Sequence, residues 1–173
     1  TASESATFEC KLDAAAFAPC TSPKGYPALA NGSHTFRVKA TDIAGNTGPE
    51  TTYTWTIDIV APTVVITQKP SNPSSTSSAT FAFTASQNGN SFSCRLDEGG
   101  FQPCSSPTTY SNLSDGPHIF SVQATDQAGN TGPDVPYGWT IETRAPTASV
   151  TLAPAGLSNS RVATIGFAAD EPS

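Results

Sequence analysis

The sequence has little charge, few basic residues and no long apolar stretch. Only 13% of its 173 residues are charged, eight are Lys or Arg, and the formal net charge is −6. This composition argues against a nucleic-acid-binding surface, which needs a clustered basic patch. No apolar run approaches the roughly 20 residues that span a bilayer. We therefore predict no nucleic-acid partner and no membrane span in this segment.

Methionine and the common catalytic motifs are also absent. The chain has neither an initiator Met nor a signal peptide, which predicts an internal piece of a processed or longer chain. It has no G-x-S-x-G elbow, no H-E-x-x-H motif and no Gly-rich phosphate loop. We therefore predict that the protein is not an enzyme and uses no cofactor.

An internal repeat dominates what the sequence does contain. "ATDIAGNTGP" at 40–49 returns as "ATDQAGNTGP" at 124–133, and the same interval relates Cys10 to Cys94. The repeat period is about 84 residues. This period predicts three parts: an incomplete repeat with its last five strands, a complete repeat, and the first two strands of a further repeat. Their predicted bounds are 1–61, 62–145 and 146–173. The linkers between them are short and contain proline, which predicts limited freedom between repeats.

Apolar residues alternate in short runs separated by turn residues, which is typical of β-strands. Around the complete repeat this pattern predicts seven strands, with inward series that begin at His118 and at Tyr137. Seven alternating strands in one repeat fit an all-β, two-sheet sandwich of the immunoglobulin class. The predicted strands are 63–68, 79–85, 91–96, 101–104, 109–113, 118–126 and 137–142.

Four cysteines occur as one pair per repeat, inside a predicted hairpin. If the second hairpin turns around Glu98–Gly100, Cys94 faces Cys104 across the ladder, and a bulge near Gly100 or Pro103 is expected. We predict the disulfides Cys10–Cys20 and Cys94–Cys104 in preference to a zinc site, because two Cys and one distant His per repeat do not provide four ligands. Disulfides predict an oxidising compartment.

The two segments "FSCRLDEGGFQPC" and "DGPHIFSVQATDQAGNTGP", followed by "YGWTI" and "APT", resemble the bacterial immunoglobulin-like (Big-type) repeats of large exported surface proteins, adhesins and filaments. The resemblance covers the whole chain and implies tandem modules that act mainly as spacers, stalks or filament bodies. One departure is "DAAA" at Asp13–Ala16, where the family usually has glycines. Alanine adopts positive φ only at a cost, so the geometry of that turn is open.

Three sets of polar residues have both a structural and a functional interpretation. Asp and Asn in the repeated loop suit turn chemistry, which we favour over calcium binding because the loop offers one acid and calcium prefers six to eight oxygens. His34 and His118 start inward series and are predicted to be packed structural residues. Two sequons are weak glycosylation candidates. The calcium candidates are Asp42, Asn46, Asp126 and Asn130, and the glycosylation candidates are Asn31 and Asn112.

Taken together, these features predict an extracellular or cell-surface structural module, a rigid spacer in a stalk or filament. Residues 146–173 of one copy are expected to pack against residues 1–61 of a neighbour, because each part lacks the strands that the other has. The neighbour is either the next repeat of one long polypeptide or a separate, interlocked subunit. The alternative function is an adhesin repeat whose loops bind a surface glycan or protein.

Overall fold

The computed structural model describes residues 5–157, 159 and 161–170, and this part of the chain is all-β. The chain divides into two compact units, residues 1–63 with 85–91 and 124–133, and residues 64–84 with 92–123 and 134–173. None of the described residues forms a helix that is long and apolar enough to cross a membrane. The strands are β1 (Ala6–Leu12), β2 (Ala18–Cys20), β3 (Gly32–Asp42), β4 (Thr51–Ile57), β5 (Val64–Gln68), β6 (Ala79–Ala85), β7 (Ser91–Leu96), β8 (Gln102–Cys104), β9 (Thr108–Tyr110), β10 (Gly116–Thr125), β11 (Val135–Ile141), β12 (Ala148–Leu152) and β13 (Gly166–Ala169).

The first unit is built on one four-stranded antiparallel sheet, which we call the leading sheet, with strand order β2-β1-β3-β4. In its central pairing, His34 lies opposite Trp55 and Phe36 lies opposite Tyr53. Side chains two residues apart on a strand point to the same face. The alternating aromatic and aliphatic residues of β3 and β4 therefore share one face of the leading sheet.

The second unit contains two sheets that form a β-sandwich. One has the strand order β11-β10-β7-β8 and the other has the order β5-β6-β9. Phe81 of β6 stacks on Phe120 of β10 with ring centroids 4.0 Å apart, and its ring meets Trp139 of β11 edge-on at 5.2 Å. All three side chains are buried. These aromatic rings form the centre of the core between the two sheets.

The strand positions follow the sequence pattern closely, and the disulfide hairpin corrects one prediction. In β7 and β8, Cys94 lies opposite Gln102 and Phe92 opposite Cys104, so the two cysteines are diagonal neighbours and not a facing pair. The three described pairs keep one register through Pro103, without the predicted bulge. Diagonal neighbours on one face are close enough for a disulfide, with Cα atoms 5.8 Å apart.

A fourth sheet, with two strands, is formed by β12 and β13, which pair antiparallel from Ala148 opposite Ala169 to Leu152 opposite Gly166. Residues 24–26, which lie 84 positions before β9, form no strand. β9 pairs with β6, and the leading segment includes no described counterpart of β6. A short edge strand needs a partner, so its absence there follows from the missing neighbour.

Candidate assembly surface

The apolar face of the leading sheet borders an open cleft of about 980 Å³. Tyr53 is 67% exposed there, and Trp55 is only half-buried. Within this unit, the residues that the structure describes provide no second sheet on that face. The cleft is therefore the uncovered side of a half-sandwich. Its apolar lining includes Phe8, Phe36, Val38, Tyr53, Trp55 and Ile57.

The corresponding face of β10 and β11 is covered. Phe120 and Val122, which correspond to Phe36 and Val38, have no exposed surface, and Trp139 is 2% exposed. The cover is the β5-β6-β9 sheet, whose Phe81 and Phe83 both approach Phe120. The β5–β6 part of that sheet thus contributes two aromatic side chains to the covered core.

The trailing hairpin β12–β13 has the sequence position of β5–β6, but its apolar side chains are exposed. Phe167 corresponds to Phe83 and Ile165 to Phe81, and they are 80% and 59% exposed. Val150 on the partner strand lies opposite Phe167 and is 66% exposed. Large exposed apolar patches are typical of interaction sites, so the trailing hairpin is a candidate surface.

The predicted disulfides are both present in the structure. Cys10 is joined to Cys20 and Cys94 to Cys104, and no cysteine among the described residues is free. Cys10 and Cys20 also border the cleft. Each bond fixes a short edge strand, β2 or β8, to the sheet that carries the apolar face.

Both histidines are held by hydrogen bonds at the start of β3 and β10. His118 places Nδ1 2.9 Å from Asp97 Oδ2 and Nε2 2.9 Å from the Ser114 carbonyl oxygen, with its ring beside Trp139. Because both partners are acceptors, both ring nitrogens donate when the imidazole is protonated. The Ser114 carbonyl first, and then Asp97, raise the pKa of His118 above its ordinary value of 6.5. This arrangement is that of a structural histidine.

His34 has the same environment in the leading sheet. Its Nδ1 lies 2.9 Å from Asp13 Oδ2 and its Nε2 lies 2.8 Å from the Ala30 carbonyl oxygen. The Ala30 carbonyl is the main cause of the raised pKa of His34, followed by Asp13. Asp13 also accepts the Thr35 amide at 2.7 Å.

Asp13 and Asp97 are the structural partners of the two histidines, and the sequence analysis overlooked them. Both take positive φ, 53° in each case, directly after β1 and β7. The turn residue with left-handed backbone is therefore the aspartate, and the alanines of "DAAA" do not need positive φ. An Asp that recurs at the repeat interval, with the same spacing to the following histidine in both copies, was the available signal.

The calcium candidates lie in two loops with the same internal hydrogen bonds. Asp42 Oδ1 accepts the backbone amides of Ala44 and Asn46 at 2.9 and 2.8 Å, and its Oδ2 accepts the Asn46 side-chain amide at 2.8 Å. The Asn46 side chain is the main cause of the lowered pKa of Asp42. In the second loop, Asp126 makes the same bonds to Ala128 and Asn130.

These bonds occupy the carboxylates with turn amides, and glycine completes the turn. Gly45 and Gly129 have φ values of 91° and 92°, which glycine adopts without strain. No group of three His, Cys, Asp or Glu side chains that could hold a metal is found in the described part of the chain.

The two glycosylation candidates are exposed, but they differ in their contacts. Asn31 Oδ1 accepts the backbone amide of Ile59 at 2.9 Å, so its side chain supports the following linker. Asn112 lies in a turn with φ of 58°. The structure therefore gives Asn31 a structural contact that its sequon alone does not reveal.

Comparison with known proteins adds no relative to this picture. The chain matches no family model, and no curated protein matches it significantly. The leading sheet, the trailing hairpin and the two repeated loops are therefore the features of the molecule that bear on its function.

Proposed function

We propose that the chain is a structural module of an extracellular stalk or filament, built from tandem immunoglobulin-like β-sandwich repeats. The trailing hairpin of one copy covers the apolar face of the leading sheet of another, and this head-to-tail contact repeats. The protein acts through length and stiffness and catalyses no reaction.

The observation that carries this proposal is the complementarity of two exposed surfaces in one chain. Among the described residues no second sheet covers the leading sheet, and the trailing hairpin places Phe167 and Ile165 where the complete repeat of residues 62–145, called the central repeat below, has Phe83 and Phe81. In the central repeat those two phenylalanines are almost completely buried against the equivalent face. Strand complementation of this type combines apolar pockets with main-chain pairing. A contact that joins different surfaces of two copies does not close on itself and extends as a filament.

The disulfides support the proposed location. Two hairpin disulfides indicate an oxidising, extracellular environment. They also stabilise repeats whose cores are small, which suits a module exposed to mechanical load.

A charge on the apolar face of the trailing hairpin tests the proposal. Phe167→Asp places a carboxylate where an apolar ring is expected to be buried, and burial of an unpaired charge is strongly unfavourable. We expect the unmodified chain to associate with increasing concentration and Phe167→Asp to remain monomeric, as measured by sedimentation velocity.

Ala168→Asp is the matched control, because it adds the same charge to the opposite face of β13. We expect this variant to associate like the unmodified chain. A chain that stays monomeric without any substitution, or equal association of both variants, would overturn the proposed head-to-tail contact.

A further inference from the structure

In one of its two copies, the repeated loop is in contact with a linker. In the first unit, the loop Asp126–Pro133 contacts the linker Asp58–Pro62. Asn130 Nδ2 donates to the Asp58 carbonyl oxygen at 3.0 Å, while it also keeps its bond to Asp126 within the loop. The Val60 carbonyl accepts from Gln87 Nε2 at 2.7 Å. The linker therefore offers alternate carbonyl groups to side-chain amides.

The closest approach of linker and loop occurs at Gly132. A Cβ atom on this residue would lie 1.8 Å from the Pro62 carbonyl oxygen, a distance that no side chain can tolerate. Gly132 is buried and its φ is not in the left-handed region. This glycine is therefore required for room and not for backbone conformation.

The first copy of the loop, Asp42–Pro49, has the same internal structure. No described residue lies over Gly48 as Pro62 lies over Gly132. The amide bonds to Asp42 match those to Asp126, so the loop is preformed. Gly48 and Asn46 are exposed, whereas their counterparts Gly132 and Asn130 are buried and half-buried. A Cβ on Gly48 would meet only the Ala40 carbonyl oxygen, at 3.8 Å. The space that the Pro62 carbonyl occupies on the second loop is open on the first.

The other linker of the chain, Glu142–Pro146, has the local shape of Asp58–Pro62. Glu142 Oε1 accepts the backbone amide of Arg144 at 2.7 Å, as Asp58 Oδ1 accepts the amide of Val60 at 3.0 Å. An acidic side chain thus closes the same turn in both linkers, in spite of the change from Asp to Glu.

A second contact orients both linkers in the same way. The backbone amide of Thr143 donates to Asp115 Oδ1 at 3.3 Å, and that of Ile59 donates to Asn31 Oδ1 at 2.9 Å. Asp115 and Asn31 occupy equivalent positions of the repeat. The linker Glu142–Pro146 is therefore preformed to offer its carbonyl groups as Asp58–Pro62 does.

We propose that the loop Asp42–Pro49 is a docking surface for the linker Glu142–Pro146 of another copy of this chain. The Asn46 side-chain amide donates to the Glu142 carbonyl, and the Pro146 carbonyl lies over Gly48. In this contact the loop binds backbone carbonyl groups of the linker, and a glycine is required at position 48. It rests on the proposed head-to-tail function and adds a second contact that fixes the joint beside the hairpin.

Gly48→Ala tests this docking surface. The added methyl group fits the isolated loop but would overlap the incoming carbonyl oxygen. We expect the variant to fold with an unchanged melting temperature and to associate about tenfold more weakly in sedimentation equilibrium, since overpacking of this kind typically costs about that factor.

Ala44→Ser is the matched control, because it also adds one heavy atom to an exposed position of the same loop, whose counterpart Ala128 is exposed as well. We expect it to associate like the unmodified chain. If Gly48→Ala associates as strongly as this control while Phe167→Asp does not associate, the loop does not dock the linker and the head-to-tail function stands. If the unmodified chain does not associate, both proposals are overturned.

Discussion

Identical side chains have different environments in the two large sheets. Phe36 and Val38 of the leading sheet are half-buried, whereas Phe120 and Val122, which lie 84 residues later in the sequence, have no exposed surface. Tyr53 is 67% exposed and its counterpart Tyr137 is half-buried. The pairing of β3 with β4 matches that of β10 with β11 residue for residue. Burial of this core thus depends on the opposing sheet and not on the sheet that carries the residues.

The histidine hydrogen bonds and the disulfides are the same in the two sheets and do not show this difference in burial. His34 and His118 are both 8% exposed, and each has a carboxylate and a carbonyl partner at 2.8–2.9 Å. Each disulfide joins cysteines separated by 10 residues with a Cα distance of 5.8 Å. These contacts all come from strands and turns of the same sheet. A single sheet can therefore form its turns, hydrogen bonds and disulfide completely while its apolar face remains uncovered.

The largest expected effect separates the two phenylalanines. Phe120→Ala removes a fully buried ring that stacks on Phe81, and such substitutions cost about 3–5 kcal/mol of unfolding free energy. Phe36→Ala removes a half-buried ring and is expected to cost less than half as much in the dilute chain. Urea unfolding followed by circular dichroism, and by Trp139 fluorescence in a Trp55→Phe background, measures both losses.

Association sharpens this comparison. When the leading face is covered by a neighbour, the cost of Phe36→Ala should rise towards that of Phe120→Ala. Equal losses in the dilute chain would contradict the claim that the opposing sheet determines burial.

Removal of a disulfide is expected to have the next largest effect. In the chain-entropy model, a loop of this length contributes about 2.5 kcal/mol. We expect Cys94→Ala with Cys104→Ala to lower the melting temperature of the central repeat without abolishing its fold, because Phe81, Phe120 and Trp139 still form the core.

The matched pair Cys10→Ala with Cys20→Ala opens a loop of equal length and should cost a similar amount in the leading sheet. Calorimetry of both double variants compares the two copies directly. A central repeat that fails to fold without its disulfide would show that the aromatic core is insufficient alone.

Much of the strand pattern could be predicted from the sequence because the apolar alternation is regular. β6 and β7 begin and end at the predicted residues, and the inward series from His118 to Ala124 is buried as expected. The register of the cysteine hairpin could not be predicted, since spacing alone does not distinguish facing from diagonal cysteines. In the structure Cys94 lies opposite Gln102, and Asp97, directly after β7, takes positive φ.

The candidate surfaces were less accessible to sequence analysis. The repeat interval predicted the open leading sheet and the unmatched hairpin, but turn chemistry alone suggested no difference between Asn46 and Asn130. That difference depends on which loop a linker contacts, a tertiary property with no local signal. The histidine–aspartate pairs were also overlooked, because Asp13 and His34 are distant in sequence and meet only when the strands pair.

Change of pH is expected to act alike on both copies. Since the folded-state pKa of His118 is raised, the folded chain binds the proton more tightly than the unfolded chain. The stabilisation is fully present below the ordinary value of 6.5 and is lost as pH rises through the raised folded-state pKa. Urea midpoints measured from about pH 5.5 to pH 9 should therefore fall with rising pH.

His118→Gln and His34→Gln are the paired variants for this measurement. Each variant should flatten the pH dependence of the urea midpoint, and by a similar amount. The reason is that each histidine finds its partners on or beside its own sheet and not on a covering sheet. A urea midpoint that increases with pH above 6.5 would contradict the predicted direction. An effect of His118→Gln without an effect of His34→Gln would show that the covering sheet also influences the histidine.

The smallest expected effect concerns two surface ion pairs whose acids, Glu50 and Asp134, lie 84 residues apart, although their arginines do not occupy corresponding positions. Arg37 lies 3.0 Å from Glu50 and Arg95 lies 3.3 Å from Asp134, with about 40% of each side chain exposed. Exposed pairs of this kind contribute about 0–1 kcal/mol and weaken with salt. We expect Glu50→Gln and Asp134→Asn to change the unfolding free energy by less than about 0.5 kcal/mol each, with the difference vanishing in about 1 M NaCl. A larger, salt-resistant loss at only one of the two sites would mean that this pair is desolvated by a neighbouring surface, and the copy that shows it would identify which face the neighbour covers.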